Sequence, residues 1–221
     1  MRGSTLRSLT AEFVGTGFLL IAVVGSGIAA QRLSPSDVGL QLLENSLATA
    51  AALVWLIWLF GPASGAHFNP VVTLWARTEG QLSSGLAIGY VAVQAAGGIT
   101  GVIVANLMFG FDAVTWSTAT RPGSAVLFSE GVATFGLVFV VIGMVRSRQE
   151  RLVAVAVAAY IGGAYFFTSS TSFADPAVTV ARAFSDTFAG IAPSRVLPFV
   201  MAQLVGAVLA MALSRVTHPH R

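Results

Sequence analysis

Two short stretches with the same form carry the chemistry of this chain. In each, a polar residue precedes a proline, giving the first box, Asn69-Pro70-Val71, and the second box, Asp175-Pro176-Ala177. An Asn or Asp side chain accepts hydrogen bonds from the free amides at the start of a helix. Proline fits the first helical position because its missing N–H would have no partner there. Each box therefore predicts the start of a helix with a polar side chain at its tip.

The chain around the boxes is too apolar for a soluble domain. Hydrophobic residues make up 55% and charged residues 10% of the sequence, whereas a soluble domain carries roughly 25% charged residues. The mean hydropathy is +0.80. The net charge of +3 comes from arginine alone and does not indicate a nucleic-acid partner. We therefore predict an integral membrane protein, and we expect no metal, cofactor or enzymatic activity, because no nucleophile–base set or metal-spaced cluster is present.

Six segments are long enough to cross a bilayer, which takes about 20 mostly apolar residues. They are approximately 9–30, 38–60, 82–107, 125–145, 152–167 and 195–214. The fifth is short and is open to extension through 168–172. Each box begins a further piece of about ten residues, or roughly 15 Å of helix, too short to cross. The predicted fold is all-α, with six transmembrane helices and two re-entrant half-helices, and no cleaved signal peptide is expected.

The two halves of the chain resemble each other. Glu12 in the first span matches Glu130 in the fourth, and Gln94 in the third matches Gln203 in the sixth. A unit of three spans reverses direction when it is duplicated, and inverted repeats with broken helices are a transport architecture. We predict one domain over 1–221, with inverted repeats of about 1–120 and 121–221.

The arginines predict the orientation in the membrane. Eight of the twelve basic residues fall on the side of the termini, namely Arg2, Arg7, Arg77, Arg146, Arg148, Arg151, Arg215 and Arg221. The other four are Arg32, Arg121, Arg182 and Arg195. Positive residues accumulate on the inner side. Both termini are therefore expected in the cytoplasm, with the chain in the cell (inner) membrane.

The predicted midplane is suited to small neutral solutes. The two half-helices point their N-termini at each other, and each end carries roughly half a positive charge. Such ends repel cations and interrupt proton transfer along a narrow water path. The backbone carbonyls of His67-Phe68 and Phe173-Ala174, which lead into the half-helices, are expected to line the path as hydrogen-bond acceptors.

Two carboxylates inside the predicted spans, Glu12 and Glu130, allow two interpretations. Intramembrane acids are often proton relays. Alternatively, each accepts hydrogen bonds from the backbone of the re-entrant loop in its own half. The symmetry of the two residues with the two loops favours this structural role.

These features together resemble the aquaporin/aquaglyceroporin (major intrinsic protein) family. The resemblance rests on Ser64-Gly65-Ala66-His67-Phe68-Asn69-Pro70, the paired Glu12 and Glu130, the Gln94 and Gln203 helices, and the second box. It covers essentially the whole chain. It implies a six-span right-handed bundle, a homotetramer in the lipid bilayer with one pore per subunit, and passive conduction without a cofactor.

The chain departs from the family at the boxes. Members usually have Asn-Pro-Ala twice, whereas Val71 replaces the first Ala and Asp175 replaces the second Asn. Asp caps a helix as well as Asn does, but an ionised Asp presents only acceptors to a solute. The helix ends favour the ionised form and burial favours the neutral form, so the sequence leaves the charge of Asp175 open. The residue after the second box is normally an arginine in the family, whereas here it is Val178.

Counting along the family pattern gives a selectivity ring of Thr49, Gly163 (or Ala164), Ser172 and Val178. Water-selective members have bulky Phe, His and Arg side chains there, so this ring implies a wider, uncharged pore. The pattern around the second box is similar to bacterial aquaporins associated with arsenic resistance. That branch implies passage of arsenous and antimonous acids, methylated arsenicals, glycerol and water.

Arg182 lies one helical turn beyond Val178. One hypothesis is a positive outer vestibule that attracts oxyanions. The other is an interfacial arginine paired with Asp186, again four residues on.

Two other functional classes stay open from the sequence. A proton-coupled secondary transporter is compatible with inverted repeats and an acid at Asp175. A structural membrane protein with a closed pore is the other alternative.

Overall fold

The computed structural model describes residues 2–219, and that part folds into eight α-helices. They are α1 Arg2–Leu33, α2 Val38–Ser64, α3 Pro70–Thr78, α4 Ser84–Met108, α5 Ser124–Arg146, α6 Val153–Phe167, α7 Pro176–Ala181 and α8 Pro193–Thr217. Three-residue 3-10 turns cover Glu150–Leu152 and Arg182–Phe184. Arg221, which entered the orientation argument, lies outside the described residues.

Six helical segments of the described chain are long and apolar enough to cross a membrane, which confirms the predicted fold class. They are α1, α2, α4, α5, α8 and the segment Glu150–Phe167, which contains α6. The fifth span does not extend through 168–172. It ends at Phe167, because Thr168 has extended backbone and Thr171 and Ser172 have positive φ angles of 61° and 50°.

The two short helices begin at the boxes, as predicted. In α3, which has nine residues, the Asn69 side chain accepts a hydrogen bond from the amide of Val71. In α7, which has six, the Asp175 side chain accepts from the amides of Ala177 and Val178. The two helices contact each other, so their capped tips lie close together inside the bundle.

Close helix packing holds the long helices around this centre. A Cβ atom on Gly97 of α4 would lie 2.2 Å from the carbonyl oxygen of Phe13 in α1. A Cβ atom on Gly206 of α8 would lie 2.2 Å from the carbonyl oxygen of Gly131 in α5. Small residues of this kind let helix backbones approach closely in membrane bundles. Each half thus has one tightly packed helix pair, which forms the rigid wall behind its half-helix.

Candidate solute pathway

A cavity of about 740 Å³ runs through the bundle past both boxes. We call the side of the bundle where α1 begins and α8 ends the terminal side, and the opposite side the far side. Apolar side chains of α1, α2, α5 and α6 form much of the cavity wall, among them Leu19, Leu53, Val141 and Val157. Polar groups enter from the box loops. The cavity therefore combines apolar walls with a small number of hydrogen-bonding groups, as a site for small organic or hydroxylated molecules requires.

Asn69 joins the two boxes. Its side-chain oxygen accepts a hydrogen bond from the amide of Val71 at 3.0 Å, and its Nδ2 donates to the carbonyl of Ala174 at 2.8 Å. Asn69 also borders the cavity, whereas Pro70 and Val71 do not. Val71 is fully buried, so the bulk that it adds to the first box lies behind the pathway.

Asp175 begins the second half-helix and also borders the cavity. Its Oδ1 accepts hydrogen bonds from the amides of Ala177 at 2.8 Å and Val178 at 3.1 Å. Pro176 and Ala177 are buried and do not border the cavity. Asp175 therefore caps α7 as an asparagine would, but it directs carboxyl oxygens rather than an amide group towards the pathway.

The buried glutamates hold the box loops. Glu12 accepts hydrogen bonds from the amides of His67 at 3.0 Å and Phe68 at 2.7 Å. Glu130 accepts from the amides of Phe173 at 3.3 Å and Ala174 at 2.5 Å. Each glutamate is fully buried and does not border the cavity. This geometry favours the structural interpretation over a proton relay.

The same loops contain strained backbone. Phe68 and Ala174 have φ angles of 50° and 49°, a region that residues with a side chain rarely adopt. Strained residues persist only where their surroundings hold them in place, and here the glutamate carboxylates bind the adjoining amides. Among the described residues no donor reaches the carbonyls of His67, Phe68 or Phe173, whereas the carbonyl of Ala174 is taken by Asn69. Three of the four expected carbonyls are thus free to accept hydrogen bonds from a solute.

Three of the four residues of the predicted ring border the cavity, namely Thr49, Ser172 and Val178. The prediction for Gly163 was wrong, because this residue lies on the exposed face of α6 next to Phe167. The cavity-facing stripe of α6 contains Ile161 and Tyr165, four residues apart, so a position midway between them points away.

Tyr165 takes the place that the sequence argument gave to Gly163. Its hydroxyl lies 3.1 Å from the Oγ1 of Thr49, which closes one side of the ring. The sequence pattern that could have indicated Tyr165 is the four-residue spacing of Val157, Ile161 and Tyr165, which places the three side chains on one helix face. The side chains of the ring are thus bulkier than predicted, but none of them is charged.

Arg182 borders the cavity beyond Val178, and among the described residues it forms no ion pair with Asp186. Its guanidinium lies over the ring of Phe173 at 3.4 Å from the centroid, and its Nε donates to the carbonyl of Ala189. The paired-arginine hypothesis fails because α7 ends at Ala181, so Asp186 does not continue the same helix face. The Asp186 carboxylate instead accepts from the amide of Thr118 at 2.8 Å.

Arg121 also belongs to this region, although no motif in the sequence indicates it. It donates to the carbonyls of Gly190 at 2.9 Å and Phe188 at 3.2 Å. Its guanidinium also lies 4.9 Å from the centroid of the Phe173 ring. Arg121 therefore ties the far-side loops to the second box. Among residues 2–219, no group of three His, Asp or Glu side chains is placed to hold a metal ion.

Comparisons with known proteins agree with this architecture. A family profile described as Major intrinsic protein matches residues 2–171. The chain is 48% identical over 209 residues to Aquaglyceroporin AqpS of Rhizobium meliloti (strain 1021), covering 95% of this chain and 89% of that protein. It is 30% identical over 156 residues to Aquaporin Z of Photorhabdus laumondii, covering 66% and 67%. The X-ray structure of the aquaglyceroporin from Plasmodium falciparum matches with a TM-score of 0.72 at 20% identity, covering 95% of each chain.

Proposed function

The chain belongs to the major intrinsic protein family and is a multi-pass membrane channel rather than an enzyme, and we propose that its wide pore passes small uncharged solutes. The solutes that fit are glycerol, water and trivalent metalloid hydroxides such as arsenous and antimonous acids, with methylated arsenicals as further candidates. A relative of 48% identity over 95% of the chain carries the name aquaglyceroporin, which supports the class of channel.

The single observation that carries this proposal is the uncharged ring beyond the second box. Thr49, Tyr165, Ser172 and Val178 border the cavity there, and Val178 occupies the position where the family pattern has arginine. A valine removes both the bulk and the charge of that residue, so the opening is wider and interacts less strongly with water. Solutes with several hydroxyl groups replace their hydration with contacts to hydroxyls and carbonyls of the pore.

The box region supplies the path for such a solute. The free carbonyls of His67, Phe68 and Phe173 accept hydrogen bonds from hydroxyl groups, and the apolar wall opposite contacts carbon or metalloid atoms. The N-termini of α3 and α7 meet at this level, and their partial positive charges oppose cations. Passage is then passive and requires no conformational cycle.

The alternative functions receive less support from the structure. A proton-coupled transporter needs a relay of titrating acids along the pathway. Asp175 borders the cavity but caps α7, whereas Glu12 and Glu130 are used by backbone amides and do not border the cavity. A structural protein with a closed pore does not need a continuous cavity of about 740 Å³ past both boxes.

The membrane setting completes the proposal. We place the chain in the cell (inner) membrane as a homotetramer with one pore per subunit and both termini in the cytoplasm. The excess of arginine on the side of the termini supports the orientation. The matching glutamate–loop contacts in the two halves support a single domain built from inverted repeats.

Stopped-flow light scattering on vesicles containing the purified protein tests the proposed function. Glycerol and arsenous acid gradients should relax faster in these vesicles than in empty ones, without saturation and without a response to a pH gradient. If water flux rises but neither larger solute enters faster, the wide-ring proposal is wrong. Saturable uptake driven by a pH gradient would identify a transporter instead.

A further inference from the structure

Arg182 is a buried cation whose hydrogen-bonding capacity is mostly unused. Only 2% of the residue is exposed, yet it borders the cavity. Its Nε donates to the carbonyl of Ala189, and neither terminal amino group has an acceptor among the described residues. Within 2–219, the ion pair that the structure contains is Arg146–Glu79, far away on the terminal side. A guanidinium buried without a counter-charge is costly unless a ligand supplies one.

A second cation lies close by and reinforces the positive charge. Arg121 and Arg182 both lie against the ring of Phe173, at 4.9 Å and 3.4 Å from its centroid. The donors of Arg121 are already directed to backbone carbonyls, including those of Gly190 and Phe188. Arg121 therefore contributes charge, while Arg182 contributes both charge and free donors.

Among the described residues, the acidic groups nearby act on this pair through space only and leave the free donors of Arg182 unoccupied. Glu130 accepts hydrogen bonds from the amides of Phe173 and Ala174 and from Gln203. Asp175 accepts hydrogen bonds from the amides of Ala177 and Val178 at the start of α7. Neither carboxylate lies within ion-pair distance of Arg182 in the described chain.

Ser172 is a second cavity-lining residue with a polar group that is unpartnered in the described chain. Ser172 is 4% exposed and lines the cavity, and its Oγ has no hydrogen-bond partner among the described residues. A serine hydroxyl donates to an anion as readily as to a neutral oxygen. Two independent side chains thus leave donors unused at the far end of the pathway.

We propose that Arg182 and Ser172 form a subsite that binds a small oxyanion, such as a carboxylate or a tetrahedral oxo-acid anion, and that its occupation blocks the pore. Arg182 supplies amino N–H groups in a planar array that suits such anions. Deeper in the pathway, Asp175 presents carboxyl oxygens, which repel an anion or offer it no hydrogen bond, so the anion stays at the subsite. The blocking effect rests on the proposed channel function, whereas the binding does not.

Glycerol influx in the presence of inorganic phosphate tests the block. Vesicles containing the wild-type channel are compared in sodium phosphate and in sodium chloride of equal ionic strength and pH. At about ten times its dissociation constant, phosphate fills about nine-tenths of the subsites, so glycerol flux should fall by about tenfold. The block should be absent in Arg182→Gln and partly retained in Arg182→Lys.

Arg32→Gln is the matched control. Arg32 is also a far-side arginine lying against aromatic rings, 5.2 Å from the centroid of Phe109, but it does not border the cavity. This variant should be blocked like the wild type. If phosphate leaves wild-type glycerol flux unchanged, or blocks Arg182→Gln as strongly as the wild type, the subsite proposal is overturned.

Thermal unfolding of the purified protein separates the two proposals. Phosphate at about ten times its dissociation constant should raise the unfolding temperature of the wild type by about 3–5 °C. The rise should be lost in Arg182→Gln and smaller in Arg182→Lys. An absence of glycerol flux above empty vesicles would overturn the proposed function, and the phosphate-dependent shift would still decide the subsite. No shift in the wild type would reject the subsite.

Discussion

Asn69 and Asp175 begin the two half-helices, and the contacts behind them match closely. In the first half, Gln94 donates to the buried glutamate at 2.7 Å and to the threonine one turn into the half-helix at 3.0 Å. In the second half, Gln203 donates to the corresponding glutamate and threonine, both at 2.7 Å. The side-chain oxygens of Gln94 and Gln203 are also alike in having no partner among the described residues. The same support therefore holds both loops.

The groups that face the pathway differ between the halves. Asn69 donates to the carbonyl of Ala174 in the other box, whereas Asp175 makes no such return contact in the described structure. One turn past the valines that follow the boxes, the first half has the fully buried Ala76 and the second half has Arg182 at the cavity. The support is therefore shared between the halves, whereas three of the four residues of the proposed ring, Tyr165, Ser172 and Val178, belong to the second half.

Removing the buried glutamates should have the largest effect, and the effect should be equal in the two halves. Glu12→Ala and Glu130→Ala each leave two loop amides without an acceptor, and each such amide costs about 1–3 kcal/mol. We expect little folded protein from either variant, measured by size-exclusion chromatography in detergent. Glu12→Gln and Glu130→Gln keep one acceptor oxygen and should be recovered in part. A well-folded alanine variant in one half alone would break the comparison.

The matched glycines should give the next largest effect. Gly97→Ala and Gly206→Ala each place a methyl group against a backbone carbonyl, at 2.2 Å in both cases. Overpacking of this kind costs about 1–3 kcal/mol, so the unfolding temperature in detergent should fall by similar amounts. Gly85→Ala is the control, because a Cβ atom there has no neighbour within 4 Å. Unequal losses at the two glycines would show that the walls of the two halves differ.

Most of the scaffold was predictable from the sequence, because its determinants are local. Hydropathy located the six spans, and the Asn-Pro and Asp-Pro pairs located the starts of α3 and α7. The roles of Glu12 and Glu130 followed from their symmetry with the loops, and the hydrogen bonds of both agree with that interpretation.

The far-side ring was harder to predict, because it depends on where helices end. Counting along a family pattern placed Gly163 in the ring, but the cavity-facing stripe of α6 leads to Tyr165. The i+4 rule paired Arg182 with Asp186, but α7 stops at Ala181. Neither helix end has a local signal as strong as an Asn-Pro pair, so the side-chain directions beyond it were set by tertiary packing.

Exchanging the two cap residues should have the smallest effect on stability and sharpen the comparison further. Asn69→Asp loses the hydrogen bond to Ala174, a loss of about 1 kcal/mol. Asp175→Asn keeps an acceptor for the amides of α7, and Asn and Asp are nearly equal caps. The unfolding temperature should therefore fall in the first variant and stay nearly constant in the second. Equal losses would mean that the contact between the boxes contributes nothing.

The ratio of glycerol to water permeability in Val178→Arg tests the central claim most directly. An arginine at this position narrows the ring and adds charge, so the ratio should fall by about tenfold, equivalent to about 1.4 kcal/mol in the barrier. Both permeabilities are measured by stopped flow on the same vesicles, with the wild type at equal protein density. A lower ratio supports a wide, uncharged ring as the determinant of selectivity. An unchanged ratio in a folded Val178→Arg channel would contradict it.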